Sequence, residues 1–217
     1  MCYSVGGDYR CLENPPLDDA STPGDDVAIE EDAAIDAMPD ALIDAMPDAA
    51  VPITLMYTAA VADCIEPGDP DPDECLDVNG AMAIDANDTA TQEPWVAYVR
   101  FDVDGGPLNK TVLSVRLRMT TTNEAKSVAS NSGVVWHVQP FTHLGLFTAE
   151  PAVIGANPIA PTQGAVTPSD VVEWPLPTTI VTANAGVFLE ITTPDDDGTV
   201  YGNLATTFPP KLIVVVQ

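Results

Sequence analysis

Four side chains in two neighbouring strand-like segments are the first candidates for ligand chemistry. Tyr98 and Arg100 alternate with Val99 and Phe101 in the stretch Trp95–Val103. Arg116 and Arg118 alternate with Val115, Leu117 and Met119 after the turn Asp104-Gly105-Gly106-Pro107. Residues two apart in a strand share a face. Tyr98, Arg100, Arg116 and Arg118 are therefore expected on one outer face of a hairpin-like pair, where Asp102 meets an Arg across the strands. His137 and Gln139, in Val134–Gln139, are expected alongside. An aromatic ring can stack on a sugar while polar side chains fix its hydroxyls, and Arg answers a carboxylated sugar. A solvated sheet face with cross-strand ion pairs has the same composition. Trp95, Trp136 and Trp174 are expected in the core or at its rim.

The second candidate chemistry is Ca2+ binding. Asp69, Asp71, Asp73 and Asp77 alternate along the loop 66–77 as oxygen ligands could. Prolines fill the intervening places and no Gly occupies the sharp turn, so the loop departs from the EF-hand pattern. Asp195, Asp196 and Asp197 make a second acidic turn. The four cysteines allow three connectivities, of which Cys2–Cys11 with Cys64–Cys75 is the simplest. No CxxC is present and neither histidine is near a cysteine, so zinc is poorly supported.

Catalysis finds less footing. A nucleophile needs a base beside it that is itself oriented, and His137 and His143 are the only histidines. No Gly-x-Ser-x-Gly occurs. A polysaccharide lyase would draw a base and a carboxylate-neutralising group from His137, Tyr98, Arg100 and Arg116. Acids abound without any pair being singled out for glycoside hydrolysis.

The positioning elements follow from charge and pattern. Residues 1–94 carry 23 Asp plus Glu against one base, Arg10, so the net charge of −26 is nearly all N-terminal. Such a chain repels phosphate backbones and anionic lipid, which argues against nucleic acid and membrane surfaces as partners. Within 18–50 the segment Ile-Asp-Ala-Met-Pro-Asp-Ala at 35–41 recurs at 43–49. Pro39 and Pro47 disfavour helix, and the stretch has too few bulky apolar groups to offset its ordering entropy. Residues 1–50 thus read as an acidic tether with a short disulfide loop at its start. The 18–50 stretch reaches on the order of 100 Å at about 3.1 Å per residue.

Residues 51–217 read as one domain. Strands are expected at Ile53–Val61, Ala81–Ile84, Trp95–Val103, Leu113–Met119, Val134–Gln139, Val171–Trp174, Thr179–Thr182, Val187–Ile191, from Thr199, and Leu212–Val216, with a fragment at Val153–Ile154. Turn signals separate them and no helical period persists. The fold class is all-β, an antiparallel sandwich of the jelly-roll kind. No run of about 18 apolar residues is present, so no membrane-spanning helix is expected. Met1 is followed at once by Cys2; if a signal peptide once preceded it, Cys2 would be the lipid-bearing residue of a bacterial lipoprotein. The disulfides point to an extracellular or cell-surface location.

Tyr98-Val-Arg-Phe-Asp-Val103, a short turn and Val112-Leu-Ser-Val-Arg-Leu-Arg118 resemble the core strands of DNRLRE-type domains, bacterial extracellular jelly-roll modules similar to alginate-type carbohydrate-binding modules. Val134-Val-Trp-His-Val-Gln-Pro-Phe141 resembles the family's central strand, and Val200-Tyr201 with Pro209-Pro-Lys-Leu-Ile-Val214 its closing hairpin. The resemblance covers roughly 53–217 and implies sugar binding. Gly202-Asn203-Leu204-Ala205 departs from it where the family carries a polar group after the aromatic. The expectation is a non-catalytic module whose partner is a polysaccharide. The alternatives are a structural or adhesive subunit that associates with itself or with other surface proteins, and the lyase above.

Overall fold

The computed structural model describes the backbone of residues 2–5 and 8–11, and residues 50–66, 81–86 and 94–217 in full. The chain divides into two compact units, Met1–Asp48 and Ala49–Gln217. In the first, β1 (Cys2–Val5) and β2 (Asp8–Cys11) form an antiparallel hairpin whose register places Cys2 opposite Cys11. The tether expected over 18–50 lies outside the described residues but for Ala50, as does the loop carrying Asp69, Asp71, Asp73, Cys75 and Asp77.

The second unit is an antiparallel sandwich. One sheet has the order β4 (Val61–Ile65), β6 (Val96–Asp102), β10 (Gly186–Thr192), β8 (Val134–His137). The other has the order β3 (Ile53–Thr58), β12 (Lys211–Val216), β7 (Val112–Thr120), β9 (Val171–Leu176). A two-stranded sheet pairs β5 (Ala81–Ile84) with β11 (Thr199–Gly202). Pairing of β3 with the closing strand β12, and of β6 with β10, gives the nested order of a jelly roll.

Alternation makes the sandwich. Ala97, Val99 and Phe101 of β6 and Val187, Leu189 and Ile191 of β10 face Val115, Leu117 and Met119 of β7 and Leu212, Val214 and Val216 of β12 across one apolar core. Trp174 and Tyr201 are fully buried in it, edge to face at 5.8 Å between ring centroids. Their polar tips find partners, as buried Trp and Tyr require: Trp174 Nε1 donates to the Gly133 carbonyl at 3.1 Å and Tyr201 Oη to the Ser132 carbonyl at 2.8 Å. Gly133 has φ +86°, and a Cβ there would meet Ile84 Cδ1 at 2.7 Å. Only glycine fits that backbone and that space.

Several boundaries differ from the pattern-based expectation. The stretch 53–61 breaks at Ala59-Ala60, where the chain crosses between the sheets, so β3 and β4 lie on opposite sides of the core. The turn at 104–110 is likewise a corner and not a hairpin: β6 and β7 belong to different sheets. The register of β7 with β12 shifts between Val215 and Val216, pairing Val112 and skipping Leu113. A bulge of this kind reverses the alternation: Val112 packs on the core and Leu113 is 44% exposed. The strand expected at 179–182 is a 3-10 turn, Thr178–Ile180. β9 runs on through Pro175, which edge strands accommodate.

Candidate functional site

The corner at 104–110 separates the four residues that alternation placed together. Tyr98 and Arg100 lie on the outer side of the β4-β6-β10-β8 sheet. Arg116 and Arg118 lie on the outer side of the other sheet, beside Pro175 and Glu173 of β9. Asp102 therefore pairs along its own strand, with Arg100 Nε at 3.1 Å. Arg116 Nη1 stands 3.3 Å from Glu173 Oε2, and Arg118 Nε donates to Glu173 Oε1 at 2.6 Å. Both arginines are thus in a solvated cross-strand ion network.

Tyr98 is not an exposed platform; it is fully buried. Residues 138–151, with the short helix α1 (His143–Leu146), lie over its face of the sheet. Val138, Phe141 and Leu146 close over Val61, Ile65, Val96 and Tyr98, with Phe188 at the margin. The Tyr98 and Phe141 rings meet edge to face at 5.7 Å. Beneath this cover the Tyr98 hydroxyl has Glu190 Oε2 at 3.2 Å and Glu150 Oε1 at 3.3 Å. Having one proton to donate, it bonds to one carboxylate at a time. The Glu190 carboxyl is raised to about 7: burial raises it most, the Tyr98 hydrogen bond lowers it, and the nearby Glu150 charge raises it. Burial and the two carboxylates likewise hold the Tyr98 phenol far above its ordinary value. His143 Nε2 stands 2.6 Å from Asp63 Oδ2, tying α1 to β4.

His137 shares a side of β8 with Val135, opposite Leu189; burial lowers its pKa from 6.5. Gln139 is exposed beyond the strand end, its backbone N–H held by the Ala152 carbonyl at 2.9 Å. Trp136, on the other side of β8, is half-buried and donates to Thr192 Oγ1 at 3.1 Å. The residue set expected of a lyase therefore does not converge: Tyr98 is enclosed and Arg116 is on the far sheet. In the turn Asp195–Asp197, Asp197 Oδ2 accepts from the Ser130 N–H at 2.8 Å and Asp195 Oδ2 from the Ser130 hydroxyl at 2.6 Å. Among the described residues no group of three or more His, Cys, Asp or Glu comes together as a metal site. Cys64 is buried and disulfide-bonded; its expected partner Cys75 is outside the described residues. No helix among the described residues is long and apolar enough to cross a membrane.

A cleft of about 630 Å³ lies elsewhere, at one end of the sandwich. Its walls come from the chain leaving β7 at Thr120–Glu124, the chain entering β9 at Ser169 and Val171, and the loop Thr206–Phe208 before β12. Hydrogen bonds fix these walls. Thr121 Oγ1 donates to the Thr167 carbonyl at 2.7 Å, Thr122 Oγ1 and Ser127 Oγ share a bond of 2.6 Å, and Thr206 Oγ1 donates to the Asn203 carbonyl at 2.8 Å. Gly202 forms part of the floor. A Cβ there would meet Thr206 Oγ1 at 2.6 Å, so the close approach of this loop depends on glycine. The side chains of Asn123, Glu124, Ser169 and Thr207 line the same cleft and make no hydrogen bond or ion pair with other described residues. Phe208 and Val171 stand at it 61% and 59% exposed.

No family model matches the chain, and no curated protein matches it. The functional reading therefore rests on this geometry.

The cleft is not legible in the sequence because three separate loops build it. Its available signals were the hydroxyl run Thr120-Thr121-Thr122 and an aromatic, Phe208, ahead of Pro209-Pro210.

Proposed function

We propose that the domain is a non-catalytic module that binds polysaccharide outside the cell or at its surface. The observation that carries this reading is the end cleft, in which an exposed Phe208 stands beside unengaged hydroxyl, amide and carboxylate groups. Such a mixture of one apolar platform and a few placed polar groups is the usual lining of a small-ligand site, and about 630 Å³ is within the usual size of one. The resemblance to DNRLRE-type domains supports the same class, and the disulfide at Cys64 fits an oxidising compartment. The test is a screen of the whole chain against polysaccharides, with and without calcium. Retention by at least one polysaccharide, lost in Phe208→Ala, is expected. No retention by any glycan in either condition would sink the reading.

A second reading, a self-associating surface subunit, draws on β3. It ends its sheet; Ile53 and Met56 along it are 49% and 52% exposed, and Val51 just before it 80%. An apolar edge of this kind can pair with another chain. Sedimentation across a wide concentration range decides it: a strictly monomeric species ends the idea.

A further inference from the structure

We infer that the cleft selects an uncharged pyranose chain over a carboxylated one. This rests on the polysaccharide-binding reading above and names its ligand class. Among the described residues lining the cleft there is no Arg, Lys or His, and the single charge is the carboxylate of Glu124. Glu124 precedes the 3-10 turn Ala125–Ser127 without capping it, so both carboxylate oxygens are available. A uronate or sulfated sugar placed there would set anion against anion with no cation to neutralise either. The arginines that could neutralise a uronate are paired elsewhere, Arg100 with Asp102 and both Arg116 and Arg118 with Glu173.

What the cleft offers suits sugar hydroxyls. The Glu124 carboxylate accepts from hydroxyl donors in strong charge-assisted bonds. The Asn123 amide and the hydroxyls of Ser169 and Thr207 both donate and accept. Phe208 presents an apolar ring for the C–H face of a pyranose, in the way aromatic faces take up edge hydrogens. None of these groups needs a charged ligand.

The test is affinity electrophoresis of the whole chain in gels carrying uncharged polysaccharides (a β-glucan, a galactomannan, a xyloglucan), anionic ones (alginate, polygalacturonate) or a cationic one (glycol chitosan). Retardation by at least one uncharged polysaccharide and by neither anionic one is expected, with little change between low and high salt. Phe208→Ala should weaken that binding about tenfold, since loss of an aromatic contact removes of order 1 kcal/mol or more. Glu124→Gln should weaken it severalfold, because a neutral acceptor replaces a charged one. Both positions are at the surface, and an unchanged thermal midpoint shows that the fold is intact. Stronger retardation by alginate or polygalacturonate overturns the inference and leaves the polysaccharide-binding reading standing. So does retardation by glycol chitosan alone, or by an uncharged polysaccharide with no response to either substitution. Failure of all the gels overturns both.

Discussion

On the outside of the β4-β6-β10-β8 sheet, Tyr98 and Glu190 are sealed beneath residues 138–151. On the outside of the β3-β12-β7-β9 sheet, Arg116 and Arg118 remain in water around Glu173. Both faces derive from strands in which polar residues alternate with core residues. The difference is made by whether another segment of chain crosses the face. Under cover, a hydroxyl and a carboxylate become dependent on each other and burial dominates the carboxyl's acidity. In water, a three-member ion network adds little, because exposed pairs contribute roughly 0–1 kcal/mol.

Substitution separates the faces, and the largest effect is expected at Tyr98. Tyr98→Ala removes a fully buried ring from the Phe141 contact and strips Glu190 of its donor. A loss of about 3–5 kcal/mol is expected in urea denaturation, as for other buried aromatics; a loss below 1 kcal/mol would mean that the cover does not seal the face.

The next effect depends on pH. The Glu190 carboxyl titrates near 7 when folded, against an ordinary value of 4.5. Between these values the folded state holds the extra proton, so this group's contribution to stability falls as pH rises from about 4.5 to about 7, and the penalty is complete above that. Glu190→Gln should remove the slope and stabilise the protein by of order 2 kcal/mol at pH 8 while changing little at pH 4. Parallel stability–pH curves for the two proteins would contradict the assignment.

Asp63→Asn weakens the tie between β4 and α1. Amides of residues 141–148 should then exchange severalfold faster while those of β6 and β10 keep their protection. The smallest effect is expected on the open face, where Arg118→Ala should cost at most about 1 kcal/mol, less in high salt. A larger cost there would erase the contrast between the faces.

Where local pattern decides structure, the chain could be read directly. Val99, Phe101 and the run Leu212–Val216 have one interpretation as strands, and the alternation of β6 assigns its inner face correctly. The pattern fails where one residue or one turn changes the geometry. The bulge at Leu113 inverts a face, and the corner at 104–110 sends Arg116 and Arg118 to the other sheet, splitting the expected site. Nothing in the alternation of Tyr98 and Arg100 announces the cover, because 138–151 is short of periodic signal and its apolar anchors Val138, Phe141 and Leu146 are scattered. The cleft was hidden for a related reason: Asn123, Ser169 and Phe208 are distant in sequence and meet only when three loops close on one end of the sandwich.

The position of β12 has a consequence for biosynthesis. Residues 211–216 form the inner strand between β3 and β7, so the backbone groups of both neighbours wait for them. While a ribosome is still adding the residues before 211, β3 has no partner in its sheet. That sheet can assemble only after most of the domain has been synthesised, and contacts so far apart along the chain form slowly, on the millisecond-to-second scale of other all-β domains. A chain emerging from the ribosome would thus stay open for longer than one built from local hairpins.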